Sequence, residues 1–243
     1  EKWEGLSSKY KIWKKYLDTL PDNELVMIND AYDVIFLESA EEIVKKFLTF
    51  NKPVVLSIQK GQIINVSYNK CNNFVVCTGN IIGYVKYIRE FINIILSYQK
   101  SWSEFDGDQN IFNKICSIEP FINSNIGIDS EQKISYVTSL DSAFELNYIF
   151  GKKFNGIKME NGKILKNNNE TISILHLAGN VKGNKYLKYL NYDTDKIGKM
   201  GDYKFKQFGN GILQTIEFKS KYFALIIILI LIGIIILKKN KLI

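Results

Sequence analysis

Asp30 and Asp33 stand three residues apart, where the apolar run Val26 to Ile28 gives way to a turn before Val34 to Phe36 turns apolar again. A strand that buries its side chains has no use for two carboxylates at its end unless they meet a cation. Placed across a turn, they can converge on a hard divalent ion such as Mg2+ or Mn2+, which prefers oxygen ligands. The plainer alternative is a polar turn whose acids cap the next helix. His176 is the only histidine of the chain and lies inside the apolar run 172–180, directly before Leu177-Ala178-Gly179-Asn180. A buried histidine satisfied by one hydrogen bond is the commoner role. Joined to two carboxylates, it would leave open positions on a manganese ion for a diphosphate. Asp106 and Asp108 offer a second carboxylate pair. They would cap a helix starting near Gln109, or face the first pair and serve in sugar-hydroxyl binding or as a general base.

These residues need elements to hold them. Apolar positions at helical spacing run through residues 9–20 and stop at Pro21-Asp22-Asn23, and a buried strand is predicted over 25–28. Ser39 is placed to cap a helix whose first turn carries Glu41 and Glu42. Pro53 opens another buried strand. The alternation of helix and strand is the signature of an α/β domain. A further strand, broken at Thr78-Gly79-Asn80, leads into a long amphipathic helix, and the acids at 106 and 108 precede another. Asn161-Gly162 between short alternating runs predicts a type I′ hairpin in a β-rich cap.

With 243 residues, 46% of them hydrophobic, the chain can bury one sizeable core. Its net charge of +7 is spread over lysines scattered among many Asn and Ile residues, which argues against a nucleic-acid partner. Residues 222–237 form an uncharged run of about sixteen residues flanked by lysines, short but sufficient for a thin membrane such as that of the endoplasmic reticulum. The expected organisation is a domain over 1–215, a transmembrane helix over 222–237 and a basic tail over 238–243. Lys239 and Lys241 in the tail KKNKLI have the spacing of a dilysine retrieval signal, which places the tail in the cytosol and the domain in the lumen. Sequons at Asn65 and Asn169 permit that topology. Cys71, Cys77 and Cys116 leave an odd thiol, so the sequence alone draws no disulfide framework. A lumenal protein carries a signal peptide and none precedes Glu1, so the N-terminus of the gene product is expected to lie upstream.

In order along residues 1–192, DAYDVIF with the helix EEIVKKF, then TGNIIGY, DGDQNIF, FNGIKMENGKIL and the histidine loop into YLNY resemble the glycosyltransferase domain of the procollagen lysyl hydroxylases. The resemblance implies a GT-A-type nucleotide-sugar fold whose first strand and helix lie outside this chain. It also implies that Asp30, Asp33 and His176 bind Mn2+ and that Lys9 faces the nucleotide phosphates. Gly179, Asn180 and Lys185 match the family's loop after the histidine, and Asp108 its acidic run. The chain departs from the family where glycine interrupts that run at 107, where Thr78-Gly79-Asn80 replaces Ser-Gly-Gly, where residues 57–70 lack a Trp-Pro feature, and where two extra residues follow His176.

The expected function is therefore transfer of a hexose from a UDP-sugar to a hydroxyl by a membrane-anchored lumenal enzyme. The resemblance implies hydroxylysine or galactosyl-hydroxylysine of a collagen-like chain as acceptor. The competing expectation is a non-catalytic, membrane-anchored glycan- or partner-binding protein of viral envelope type on the same fold.

Overall fold

The computed structural model describes residues 7–30, 33–60, 69–98, 108–138, 156–178 and 183–193. All of them belong to one compact unit, Glu1–Asp202, while a second unit, Tyr203–Ile243, lies outside the described residues and takes the predicted span 222–237 with it. Among the described residues, no helix is long and apolar enough to cross a membrane.

The central sheet has the order β1-β4-β3-β5, built from β1 (Leu25–Asn29), β3 (Val54–Ile58), β4 (Val76–Tyr84) and β5 (Ile126–Asp129). β4 is antiparallel to both β1 and β3, and β3 is parallel to β5. The strand predicted over 25–28 is present as β1, but it is a half-buried edge strand instead of a buried one. Its apolar residues would read the same at an edge or a centre, because only pairing decides between them. β3 and β4 are buried on both faces, and successive residues supply two different cores. Val54, Leu56 and Ile58 join one cluster, while Val55 points to the other.

The first core is covered by α1 (Ser7–Leu17), α3 (Val85–Ser97), α4 (Asp108–Ile115) and α5 (Pro120–Asn125). In α3, Val85, Ile88, Ile92 and Ile95 recur at helical spacing and, with Phe91, are fully buried. Each such side chain contributes on the order of 1.5–3 kcal/mol by leaving water. α1 buries Tyr10 and Leu17 on one face and exposes Ile12 and Tyr16 on the other. On the second core lies α2 (Ala40–Leu48), through Ile43 and Phe47. Its first turn is capped as the sequence predicts, with Ser39 Oγ accepting from the Glu42 amide.

A three-stranded sheet, order β2-β9-β6, joins β2 (Val34–Phe36), β9 (Ile174–His176) and β6 (Ser135–Val137). β2 is antiparallel and β6 parallel to β9. The predicted hairpin is present as β7 (Ile157–Glu160) and β8 (Lys163–Lys166), with Asn161 and Gly162 both at positive φ, as a type I′ turn requires. α6 (Asn184–Tyr189) follows β9.

The break expected in β4 is also corrected. Thr78-Gly79-Asn80 does not end β4, which stays paired with β1 from Asn80 to Tyr84. The irregularity falls in its pairing with β3, where Leu56 meets Ile81 and Ile58 meets Val76, so two steps on one strand match five on the other. The pairing that the sequence left open is a disulfide between Cys71 and Cys116, with Cα atoms 5.7 Å apart, which leaves Cys77 as the odd, buried thiol.

Candidate metal centre

The ends of three strands meet at one point. Asp30 follows β1 directly, and its amide donates to the Gly79 carbonyl at 2.8 Å, which ties it to the irregular stretch of β4. Asp33 precedes β2, and its carbonyl accepts from the Leu177 amide at 2.7 Å. Its neighbour Val34 pairs with His176, the last residue of β9, so strand register fixes imidazole and carboxylate side by side. His176 Nε2 lies 3.5 Å from Asp33 Oδ1 and 3.7 Å from Asp30 Oδ2. One ligand atom from each of the three residues lies within 4.8 Å of the others.

Gly79 forms the floor of this cluster. A Cβ there would overlap Asp30 Oδ2 and His176 Cε1, so β4 approaches these two side chains only because residue 79 has none. His176 is 2% exposed, and its Nδ1 faces Cys77 Sγ at 3.8 Å, which leaves Nε2 for the acids. Burial alone would push the imidazole down, but the Cys77 sulfur and the Asp33 carboxylate raise it to about 10. Burial raises Asp30 above the ordinary carboxylate range, against the opposing pull of Lys9 and His176. The cluster is thus built to hold positive charge between two carboxylates, and a divalent cation would take the place of the imidazole proton. Two carboxylate oxygens, one imidazole nitrogen and a floor with no side chain fit Mn2+ or Mg2+ chemically.

A second layer lies beside the first. Lys9 Nζ is 2.5 Å from Asp108 Oδ2 and 3.8 Å from Asp30 Oδ1, with the Trp13 ring centroid at 5.1 Å. The same Asp108 Oδ2 accepts from Tyr10 OH at 3.0 Å and from Thr78 Oγ1 at 2.8 Å. Burial would raise the Asp108 carboxyl, but Lys9, through charge and hydrogen bond, and then Thr78 and Tyr10 hold it below its ordinary range. Burial likewise lowers Lys9, and the charges of Asp108 and Asp30 outweigh it to leave the ammonium raised.

The structure therefore brings together Asp30, Asp33, His176, Lys9 and Asp108. Lys185 lies on the exposed side of α6, its Nζ 4.7 Å from the Tyr186 ring centroid, with no ion pair to the cluster among the described residues. Asp106, Gly179 and Asn180 lie outside the described residues, as does Asn65, whereas Asn169 is exposed in a turn at positive φ. Sequence reasoning missed Tyr10, Cys77 and Thr78. For Tyr10 a signal existed: a tyrosine on the apolar face of a helix needs a partner for its hydroxyl, and Lys9 beside it marks a polar edge.

A family model described as the PLOD GT domain, GT standing for glycosyltransferase, matches residues 1–199. The chain belongs to this family. It is also 24% identical over 172 residues to human procollagen-lysine,2-oxoglutarate 5-dioxygenase 2. That match covers 65% of this chain and 21% of the human protein, so the chain spans about a fifth of that relative's length. The Asp-Asp-His cluster lies at strand ends, where open α/β sheets bind their ligands.

Proposed function

We propose that this PLOD GT domain transfers a hexose from a UDP-sugar to a hydroxyl acceptor. The observation that carries the reading is the convergence of Asp30, Asp33 and His176 on one point at the strand ends of the family fold. These three residues would hold Mn2+. When bound, the ion supplies Lewis-acid and electrostatic stabilisation of the UDP leaving group.

The chain's own residues do the rest. Lys9, positively charged and mostly buried, supplies the cation that meets the diphosphate. The buried imidazole and the apolar strands behind it keep water from the back of the site. Gly179, Asn180 and Lys185 belong to the segment after His176 and are assigned to the nucleotide side, with Asp106 on the acceptor side.

For the acceptor we propose hydroxylysine or galactosyl-hydroxylysine of a collagen-like chain, in keeping with the procollagen-lysine name of the human relative. The proposed location is the endoplasmic-reticulum membrane, with a single span over 222–237 and the domain in the lumen. The Cys71–Cys116 disulfide and the exposed sequon at Asn169 support an oxidising, glycosylating compartment. The attachment reading has less support, because an adhesive domain has no need of a buried imidazole facing two carboxylates.

UDP-sugar hydrolysis with and without Mn2+ tests the reading. Manganese-dependent UDP release that disappears in His176→Ala is the expected result. A folded chain that neither releases nor binds UDP would overturn it.

A further inference from the structure

Asp108 has the residue type of a general base, but its surroundings suit other work. We propose that Asp108 is a positioning residue: it aims the Lys9 ammonium at the edge of the metal cluster, where the donor diphosphate arrives, and accepts no proton from the acceptor. The inference rests on the donor reading above.

Three observations carry it. First, one oxygen of Asp108 receives three donors, Lys9 Nζ, Tyr10 OH and Thr78 Oγ1, at 2.5, 3.0 and 2.8 Å. Three donors on one oxygen, one of them a cation, stabilise the carboxylate as the anion and make it a weak base towards a substrate hydroxyl. Second, the donors come from α1 and from the irregular stretch of β4, so the carboxylate joins the helix that carries Lys9 to the strand that floors the metal cluster. Asp108 is itself 6% exposed, at the first turn of α4, and cannot swing towards a bulky acceptor without breaking all three bonds. Third, Lys9 is aimed. A lysine stem is long and freely rotating, and here Asp108 fixes its end while the rings of Trp13 and Tyr10 lie 5.1 and 5.5 Å from the ammonium. The ammonium rests 3.8 Å from Asp30 Oδ1, while the other oxygen of Asp30 faces His176. A diphosphate approaching the cluster therefore meets a cation already in place, and its entropy of ordering is spent before binding.

The test uses the full chain with Asp108→Asn, Lys9→Met and the double variant. UDP binding in Mn2+ is measured by calorimetry, Mn2+ binding alone by electron paramagnetic resonance, and donor hydrolysis across pH. Each single variant should weaken UDP binding about tenfold while Mn2+ alone binds within about twofold of wild type, and the double variant should be no worse than Lys9→Met. The acid limb of the hydrolysis profile should persist in Asp108→Asn. Unchanged UDP affinity in Asp108→Asn, or loss of that limb, overturns the inference. If Asp108→Asn alone leaves the ammonium without its partner and unfolds the domain, Lys9→Met and the double variant decide. Equal turnover supports positioning, and a further loss of about a hundredfold in the double variant, the size expected of a general base, overturns it. A wild-type chain that binds no Mn2+ and UDP overturns the donor reading itself, which separates that failure from this one.

Discussion

Gly79 lies so close to His176 that a Cβ on it would overlap the imidazole Cε1, and the same atom would overlap Asp30 Oδ2. The side chains of Asp30 and His176 thus fill the place where any other residue at 79 would carry its Cβ. Residue 79 lies within the stretch where the pairing of β4 with β3 is irregular.

Gly79→Ala should therefore displace His176 or Asp30 without otherwise harming the strand. Overpacking of this kind costs about 1–3 kcal/mol. Thermal melting should show that loss, and Mn2+ affinity should fall at least tenfold. An alanine variant with wild-type metal affinity would mean that the three ligands do not act together.

Asp33→Ala removes a proposed ligand whose backbone is already fixed by the Leu177 amide and the pairing of Val34 with His176. The fold should survive with an unchanged circular dichroism spectrum. Loss of partners that merely orient a ligand costs about 10–100-fold in metal affinity, so loss of the ligand itself should cost more than about a hundredfold. Titration of the variant with Mn2+ checks this directly.

The site was legible in the sequence to the extent that it rests on residue type. Two carboxylates at a strand end and a lone histidine in an apolar run are chemically odd wherever the chain places them. Ser39 and Asn161-Gly162 were legible for a similar reason, since a helix cap and a type I′ turn are local structures. The rest depends on contacts distant in sequence. Gly79 in a run of apolar residues reads as a break, and only the approach of Asp30 and His176 shows that it is a close contact. Lys9 and Asp108 are each ordinary in their own helices, and the pair exists because α1 and α4 cover the same core. With three cysteines any one of three pairings is possible, and the packing of Cys71 and Cys116 into the first core selects one of them.

The Cys71–Cys116 bond closes a separation of 45 residues in sequence and ties the start of the β4 region to the end of α4. By restricting the unfolded chain, a loop of this size contributes about 2–4 kcal/mol. Reduction, or Cys71→Ser, should lower the melting temperature by roughly 5–15 °C. Alkylation of the unreduced, unfolded chain should label Cys77 alone, and labelling of all three cysteines would show that the bond is not formed.

The imidazole of His176 sets the pH behaviour. Its pKa in the folded chain is raised from 6.5 to about 10, with burial opposing and Cys77 and Asp33 favouring the charged form. A group raised on folding stabilises the fold fully below its unfolded value and loses that contribution as pH rises through its folded value. The metal-free protein should therefore be most strongly supported by this residue below about pH 6.5, and its stability should decline as pH approaches 10. Metal binding runs the other way, because a ligating imidazole must give up its proton. Mn2+ affinity should rise with pH, by up to about tenfold per unit, until the imidazole is neutral. In His176→Gln both slopes should flatten. Calorimetric titrations with Mn2+ and melting curves of the metal-free chain between pH 6 and 9 separate the two trends. A metal affinity indifferent to pH over that range would place the ion elsewhere than on His176.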